Sequence, residues 1–463
     1  MPALHQLGAG ELLAAYRSRS LSPVEVLEQV LAHIAACEPL LHATYAIDAA
    51  AALIAAQASG HRWQRGEPIG VLDGVPAMLK ENIATVGAPM PLGCAATELV
   101  PARADAPPAA RLREAGAVIL GKTTMPDLGM LSSGLSSFHP LTRNPWDLRL
   151  SPGGSSAGAA AAAAAGYGPL QVGTDIGGSI RLPAGWCGVF GLKPSHGRVP
   201  IGSPYPARVA GPITRSVGDA ALMMAVLSQP DWRDHMSLPA ERIAWMALDR
   251  DLKGLRIGLM LDAGWGLPSE PQVTAAITEA ARAFEAAGAI VEPLAPFVSR
   301  DMADGIDCFW RTRAWVDLQA FDAEQRRRVL PFIVAWAEGG ANVSGVELMR
   351  HYHQTLAMRA ATVAACQPFD FVLSPVAPMP AFAAELPCPT NDPARPFEHI
   401  AYTLPFNMSE QPAASINAGY TTSGLPIGLQ IVGRRFDDLG VLQLAHAWEQ
   451  MRPAQHPWPM SPP

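Results

Sequence analysis

Apolar residues recur at helical spacing through the first 70 positions. Ser22-Pro23-Val24-Glu25 predicts a helix start, with a serine cap, proline at the first helical position and an acidic first turn. Val24, Leu27, Leu31 and Ile34 then give that helix one apolar face. The alanine run 159–165 lies between Gly158 and Gly166 and predicts a tightly packed helix. Seven alanines fall well short of the roughly 20 apolar residues that a membrane span needs. Residues 255–260 and 369–374 predict short buried strands, and helical patterns dominate between them, from about 270 to 368. No internal repeat, coiled coil or low-complexity linker breaks the pattern. Length alone gives a prior of about three domains.

Composition narrows the class. With 49% hydrophobic and 16% charged residues, the chain can bury a large core and is not disordered. A net charge of −7 argues against nucleic acid as a partner. The first thirty residues mix charge and polarity throughout, so no signal peptide is expected. Six cysteines are scattered without C-x-x-C spacing, and twelve histidines form no H-E-x-x-H. Neither a metal nor a disulfide framework is expected, and the cysteines read as buried hydrophobes of a reducing cytoplasm.

The candidate chemistry begins with lysine usage. Of 34 basic residues only four are lysines, and Lys80, Lys122 and Lys193 each lie in a glycine-containing stretch. A buried lysine can lose its proton and act as a base, which arginine cannot. Two Gly/Ser clusters accompany them, Gly153-Gly154-Ser155-Ser156-Ala157-Gly158 and Gly173-Thr174-Asp175-Ile176-Gly177-Gly178-Ser179. Such clusters can aim several backbone N–H groups at one point, as a developing oxyanion requires. Ser155 and Ser156 should lie at the start of the alanine helix. Gly173 and Gly178 have phosphate-loop spacing, but Ser179 stands where the lysine should be. Gly154-Ser155-Ser156-Ala157-Gly158 fits G-x-S-x-G with Ser156 as nucleophile. That motif needs a strand running into the turn, and 144–152 is a loop-like segment with two prolines.

The ordered blocks GVPAMLKENI (74–83), GKTTMPDL (121–128), NPWD (144–147), SPGGSSAG (151–158), GTDIGGSIRLPAGWCGVFGLKPS (173–195), TLPFN (403–407) and GLPIGLQ (424–430) resemble the amidase signature family of Ser–Ser–Lys hydrolases. The resemblance covers nearly the whole chain. It implies one α/β domain over 1–463, an α/β/α sandwich around a central mixed β-sheet flanked by helices, in place of the three domains expected from length. Its parts are a helical segment 1–70 and a variable helical region at about 270–368 that shapes the substrate pocket. It implies Lys80 as base, Ser155 as a bridging serine in cis-peptide conformation and Ser179 as nucleophile. The N–H groups of Ile176, Gly177, Gly178 and Ser179 are expected to form an oxyanion hole. Ser156, Thr174, Asp175 and Arg181 are expected to support them, with Arg181 pairing to Asp175, while Lys122 and Lys193 are assigned to structure.

Met130, Leu131 and Ser132 are expected to line the acyl side, with aromatic residues such as Trp310, Trp315 and Trp336 from the variable region. An apolar, aromatic entrance suits a neutral carboxamide, an anilide or a carbamate, with aryl esters as a side activity. The expected partner is a small amide-type molecule, with no cofactor, nucleic acid or membrane, on a cytoplasmic monomer or homodimer. The alternative is the glutamine amidohydrolase component of a tRNA-dependent amidotransferase. It shares the catalytic blocks, but it needs a clamp for glutamine's carboxylate and ammonium that the sequence does not announce. The segment 407–412 also carries Glu410 where the family pattern has glycine. A third reading, a binding module descended from an amidase, is opposed by the intact Lys80, Ser155 and Ser179.

Overall fold

The structure is a computed structural model and describes residues 3–202 and 204–460. Among these residues eleven strands form one sheet. They are β1 (Thr44–Tyr45), β2 (Pro76–Lys80), β3 (Val118–Thr123), β4 (Leu170–Asp175), β5 (Phe190–Lys193), β6 (Val209–Thr214), β7 (Arg256–Leu259), β8 (Ile290–Pro293), β9 (Phe371–Pro375), β10 (Ala413–Tyr420) and β11 (Pro426–Gly433). Their spatial order is β1-β3-β2-β4-β6-β5-β10-β11-β9-β7-β8. β3, β2 and β4 run parallel, as do β9, β7 and β8, and the stretch from β4 to β9 is antiparallel. Parallel neighbours need crossover helices and antiparallel ones do not, so a mixed sheet with helices on its faces follows. The expected architecture is present.

The N-terminal segment is helical as expected, with helices Ala9–Ser18, Pro23–Leu41 and Ala49–Arg65. At the second, Ser22 Oγ accepts from Glu25 N–H at 3.2 Å while Glu25 returns a bond to Ser22 N–H at 2.7 Å. Leu27 and Ile34 are buried while Val24 and Leu31 are half-buried, so the apolar face centres nearer Val26 and Val30. Region 270–368 holds helices Pro271–Ala286, Arg300–Gln319, Ala323–Arg326, Pro331–Glu338 and Gly345–Cys366, plus the edge strand β8, which sequence pattern missed.

The alanine run forms helix Ala157–Ala165, buried along its whole length. Ala161, Ala162 and Ala165 join the main core, while Ala159, Ala160, Ala163 and Ala164 pack with Ile180, Ala184 and Cys187. A helix apolar all round must be enclosed, and small side chains let neighbouring backbones approach. At Gly158 the approach is so close that any Cβ would collide with the Ala43 carbonyl and Thr124 N. This packing fixes where the helix begins, and therefore where Ser155 and Ser156 stand. None of the described helices is long and apolar enough to cross a membrane.

Candidate active site

Lys80 is the last residue of β2, whose parallel partner β4 aligns Leu79 with Val172. The carboxyl ends of both strands therefore open at one edge, where open α/β sheets place their ligands. Lys80 is fully buried, and its Nζ donates to Ser155 Oγ at 2.8 Å and to Ser156 Oγ at 3.1 Å. Burial lowers its pKa to about 7; Asp175 and Glu81 oppose the shift and Arg208 adds to it. Lys122 and Lys193 are also lowered to about 7 by burial, so pKa does not single out Lys80. Their partners do. Lys122 Nζ donates to the Ile83 carbonyl and to Thr85 Oγ1, and Lys193 Nζ to the Pro194 carbonyl. Only Lys80 meets hydroxyl groups at the Gly/Ser clusters.

The Gly154–Ser155 peptide is cis. Ser156 occupies the N-cap position of the alanine helix, yet its side chain makes no capping bond. Its Oγ instead accepts from Thr174 N–H and donates to the Thr174 carbonyl, both at 3.2 Å. Ser156 N–H donates to the Ser179 carbonyl at 3.1 Å, tying the two clusters together. Thr174 Oγ1 in turn accepts from Asn82 Nδ2 at 3.1 Å. Ser155 and Ser179 both face one cavity of about 100 Å³.

Asp175 shapes the loop between β4 and helix Arg181–Cys187. Its Oδ1 accepts from Gly178 N–H at 2.8 Å and its Oδ2 from Ile180 N–H at 3.0 Å. Burial alone would raise its pKa, but the Arg181 charge and hydrogen bonds outweigh that and hold the carboxyl well below the usual range. Arg181 is completely buried and forks onto Asp175 at 3.1 and 3.0 Å, with further bonds to the Thr403 carbonyl, Gln430 Oε1 and Asn407 Oδ1. It is fully engaged as the partner of Asp175 and has no donor left for a ligand. The same bonds correct one expectation. Gly178 N–H is committed to Asp175 and cannot serve an oxyanion, whereas the N–H groups of Ile176, Gly177 and Ser179 donate to no protein group among the described residues.

Met130, Leu131, Ser132 and Trp310 line the cavity, joined by Phe397 and Ile400. Trp315 and Trp336 do not. Trp336 is 1% exposed, bonds Asp307 through Nε1 at 2.8 Å and meets Phe397 edge-on, so it belongs to the packing of the helical layer. Trp315 lies on the same helix as Trp310, five residues on, and so turns to another face.

Among the cavity residues that escaped the sequence reading, two are cationic, Arg208 and Arg313. Arg208 directly precedes β6, whose Val209 pairs with Asp175, and Arg313 lies one helical turn after Trp310. The cavity lining therefore combines apolar residues with two guanidinium groups. Glu410 lies elsewhere, with φ of +64°, which explains why the family pattern has glycine there. Its carboxylate is anchored by Arg359 at 2.5 Å and Arg435 at 2.7 Å.

Known proteins resemble this chain over nearly its whole length. The Amidase family model matches residues 25–442. An acylamidase of Rhodococcus erythropolis is 33% identical over 97% of this chain and 96% of its own length. A glutamyl-tRNA(Gln) amidotransferase subunit from Myxococcus xanthus is 34% identical over 95% of this chain and 96% of its own. The crystal structure of a bacterial aryl acylamidase of the amidase signature family superposes with a TM-score of 0.90, at 31% identity, covering 96% of both chains.

Proposed function

The chain belongs to the amidase signature family and is an amide-hydrolysing enzyme, and from that premise we propose that it cleaves a carboxamide, anilide or carbamate C–N bond through an acyl-enzyme on Ser179. Neutral Lys80 takes a proton from Ser155 Oγ, which takes one from Ser179 Oγ as that oxygen bonds to the carbonyl carbon. The N–H groups of Ile176, Gly177 and Ser179 receive the oxyanion, with Asp175 and Arg181 holding the loop that presents them. When the C–N bond breaks, the proton returns through Ser155 to the leaving nitrogen. Water then repeats the sequence and releases the acid. One observation carries this reading: a buried amine with a pKa near 7 lies 2.8 Å from a serine hydroxyl that shares a cavity with Ser179.

The apolar wall of Met130, Leu131, Trp310, Phe397 and Ile400 favours an aryl or aliphatic group beside the scissile bond. The amidotransferase reading has a relative of similar identity in its favour. Against it, Asp175 is the one carboxylate lining the cavity among the described residues, and Arg181 and the loop amides already occupy it. Glutamine's ammonium has no free carboxylate to pair with there. The purified chain should be assayed on an anilide, a primary amide, an aryl ester, a carbamate and glutamine. The proposal expects anilide and ester turnover well above glutamine turnover, and glutamine as the sole substrate would overturn it.

A further inference from the structure

We propose that the substrate carries a carboxylate, bound between Arg208 and Arg313 in the cavity that both line. This rests on the cavity being the amide-cleaving site described above. Both guanidinium groups lie near the same Tyr205 ring, at 5.9 Å for Arg208 and 5.0 Å for Arg313, and both line the cavity, so two like charges stand close together there. Like charges held together in a half-buried cavity repel, and an anion between them relieves the repulsion.

Arg313 carries the argument. Its remaining contact is the Met130 sulfur at 3.7 Å, its Nε is buried without a hydrogen-bond partner, and it makes no ion pair among the described residues. Arginine's fork is built for a carboxylate, and leaving a buried donor unmatched is costly. Arg208 is pushed below the ordinary arginine value by burial and by the Arg313 charge, which places the two groups within each other's field. Asp234 and Asp317 lie near enough to be felt. Asp234, however, is turned to Ile201 N–H and Met236 N–H, and Asp317 is exposed outside the cavity. Among the described residues the lining offers an ammonium no free carboxylate, so the cavity fits a simple acid better than an amino acid.

Matched substrates test this on either side of the scissile bond. For an acyl-borne charge, glutaramate is compared with pentanamide and with glutamine, which adds only the α-ammonium. For a leaving-group charge, 4-acetamidobenzoate is compared with 4-acetamidotoluene. On at least one side the acid should exceed its neutral partner by about 10–100-fold in kcat/KM, mainly through KM. Arg313→Leu should bring that ratio to near one, and glutamine should fall below glutaramate. No acid preference on either side, or an equal loss on acid and neutral substrates in Arg313→Leu, would overturn the carboxylate site while leaving amide cleavage intact. Benzoate and glutarate titrated by calorimetry into Ser179→Ala give a readout independent of turnover. Arg313→Leu in that background should weaken the tighter of the two by at least about tenfold. Binding indifferent to Arg313→Leu would refute the site even if no tested amide were cleaved.

Discussion

Replacing Lys80 by arginine or methionine separates a base from a structural cation. Lys80 titrates near pH 7 because burial disfavours its charge. Its neutral form, the one that accepts a proton, therefore grows as pH rises through about 7. At pH 6 about a tenth of it is neutral, so kcat/KM should rise tenfold per unit below pH 7 and flatten above. Lys122 and Lys193 titrate in the same window. The profile must therefore be repeated in Lys122→Met, which should keep the acid limb. Lys80→Arg retains a cation that cannot deprotonate and should lose about 10²–10⁴-fold on an amide, and less on an activated aryl ester whose leaving group needs no proton.

Removing the lysine should raise stability while it abolishes activity. A lysine whose folded pKa lies about three units below its unfolded value of about 10.4 costs roughly 4 kcal/mol at pH 7, a cost relieved as pH rises from 7 towards 10. Lys80→Met removes that cost but orphans Ser155 Oγ, at about 1–3 kcal/mol. The net expectation is a dead enzyme that is more stable by about 1–3 kcal/mol in urea denaturation. A flat profile from about pH 5.5 to 8.5, with near wild-type amide turnover in Lys80→Arg, would refute the reasoning.

Asp175→Asn leaves Arg181 as an unbalanced buried charge and frees the loop amides, so unfolding should show a loss of about 3–5 kcal/mol and amide turnover should collapse. Trp336→Ala should cost about 3–5 kcal/mol by calorimetry, with the KM of the surviving folded enzyme little changed, because Trp336 packs behind the cavity without lining it. A large KM shift there would return Trp336 to the pocket. Exhaustive chelation should leave turnover unchanged, since no group of three potential metal ligands exists among the described residues. A loss restored by zinc would contradict this.

The site was legible where its chemistry is local in sequence. Lysine at a strand end, serines before an alanine helix and a Gly/Ser loop around Asp175 each sit in a short block whose glycines allow close approach. Arg181 pairing with Asp175 followed from the same block. What stayed hidden depends on distant contacts. Arg208 reaches the cavity because β6 pairs antiparallel with β4, and Arg313 because one helix of the variable region contributes to its lining. No motif marks either. Trp310, Trp315 and Trp336 look alike in sequence, and only the facing of their helices separates lining from packing. Gly178 lies among the expected donors, but a carboxylate three residues earlier claims its N–H. β8 was missed because its residues are exposed or half-buried on a sheet edge and carry no apolar alternation.

The central claim is that Ser179 is the nucleophile. A fluorophosphonate should label the native enzyme once, and peptide mass spectrometry should find the adduct on Ser179. Ser179→Ala should abolish both the adduct and amide turnover while the protein stays folded. An adduct on Ser156, or undiminished turnover in Ser179→Ala, would contradict the account.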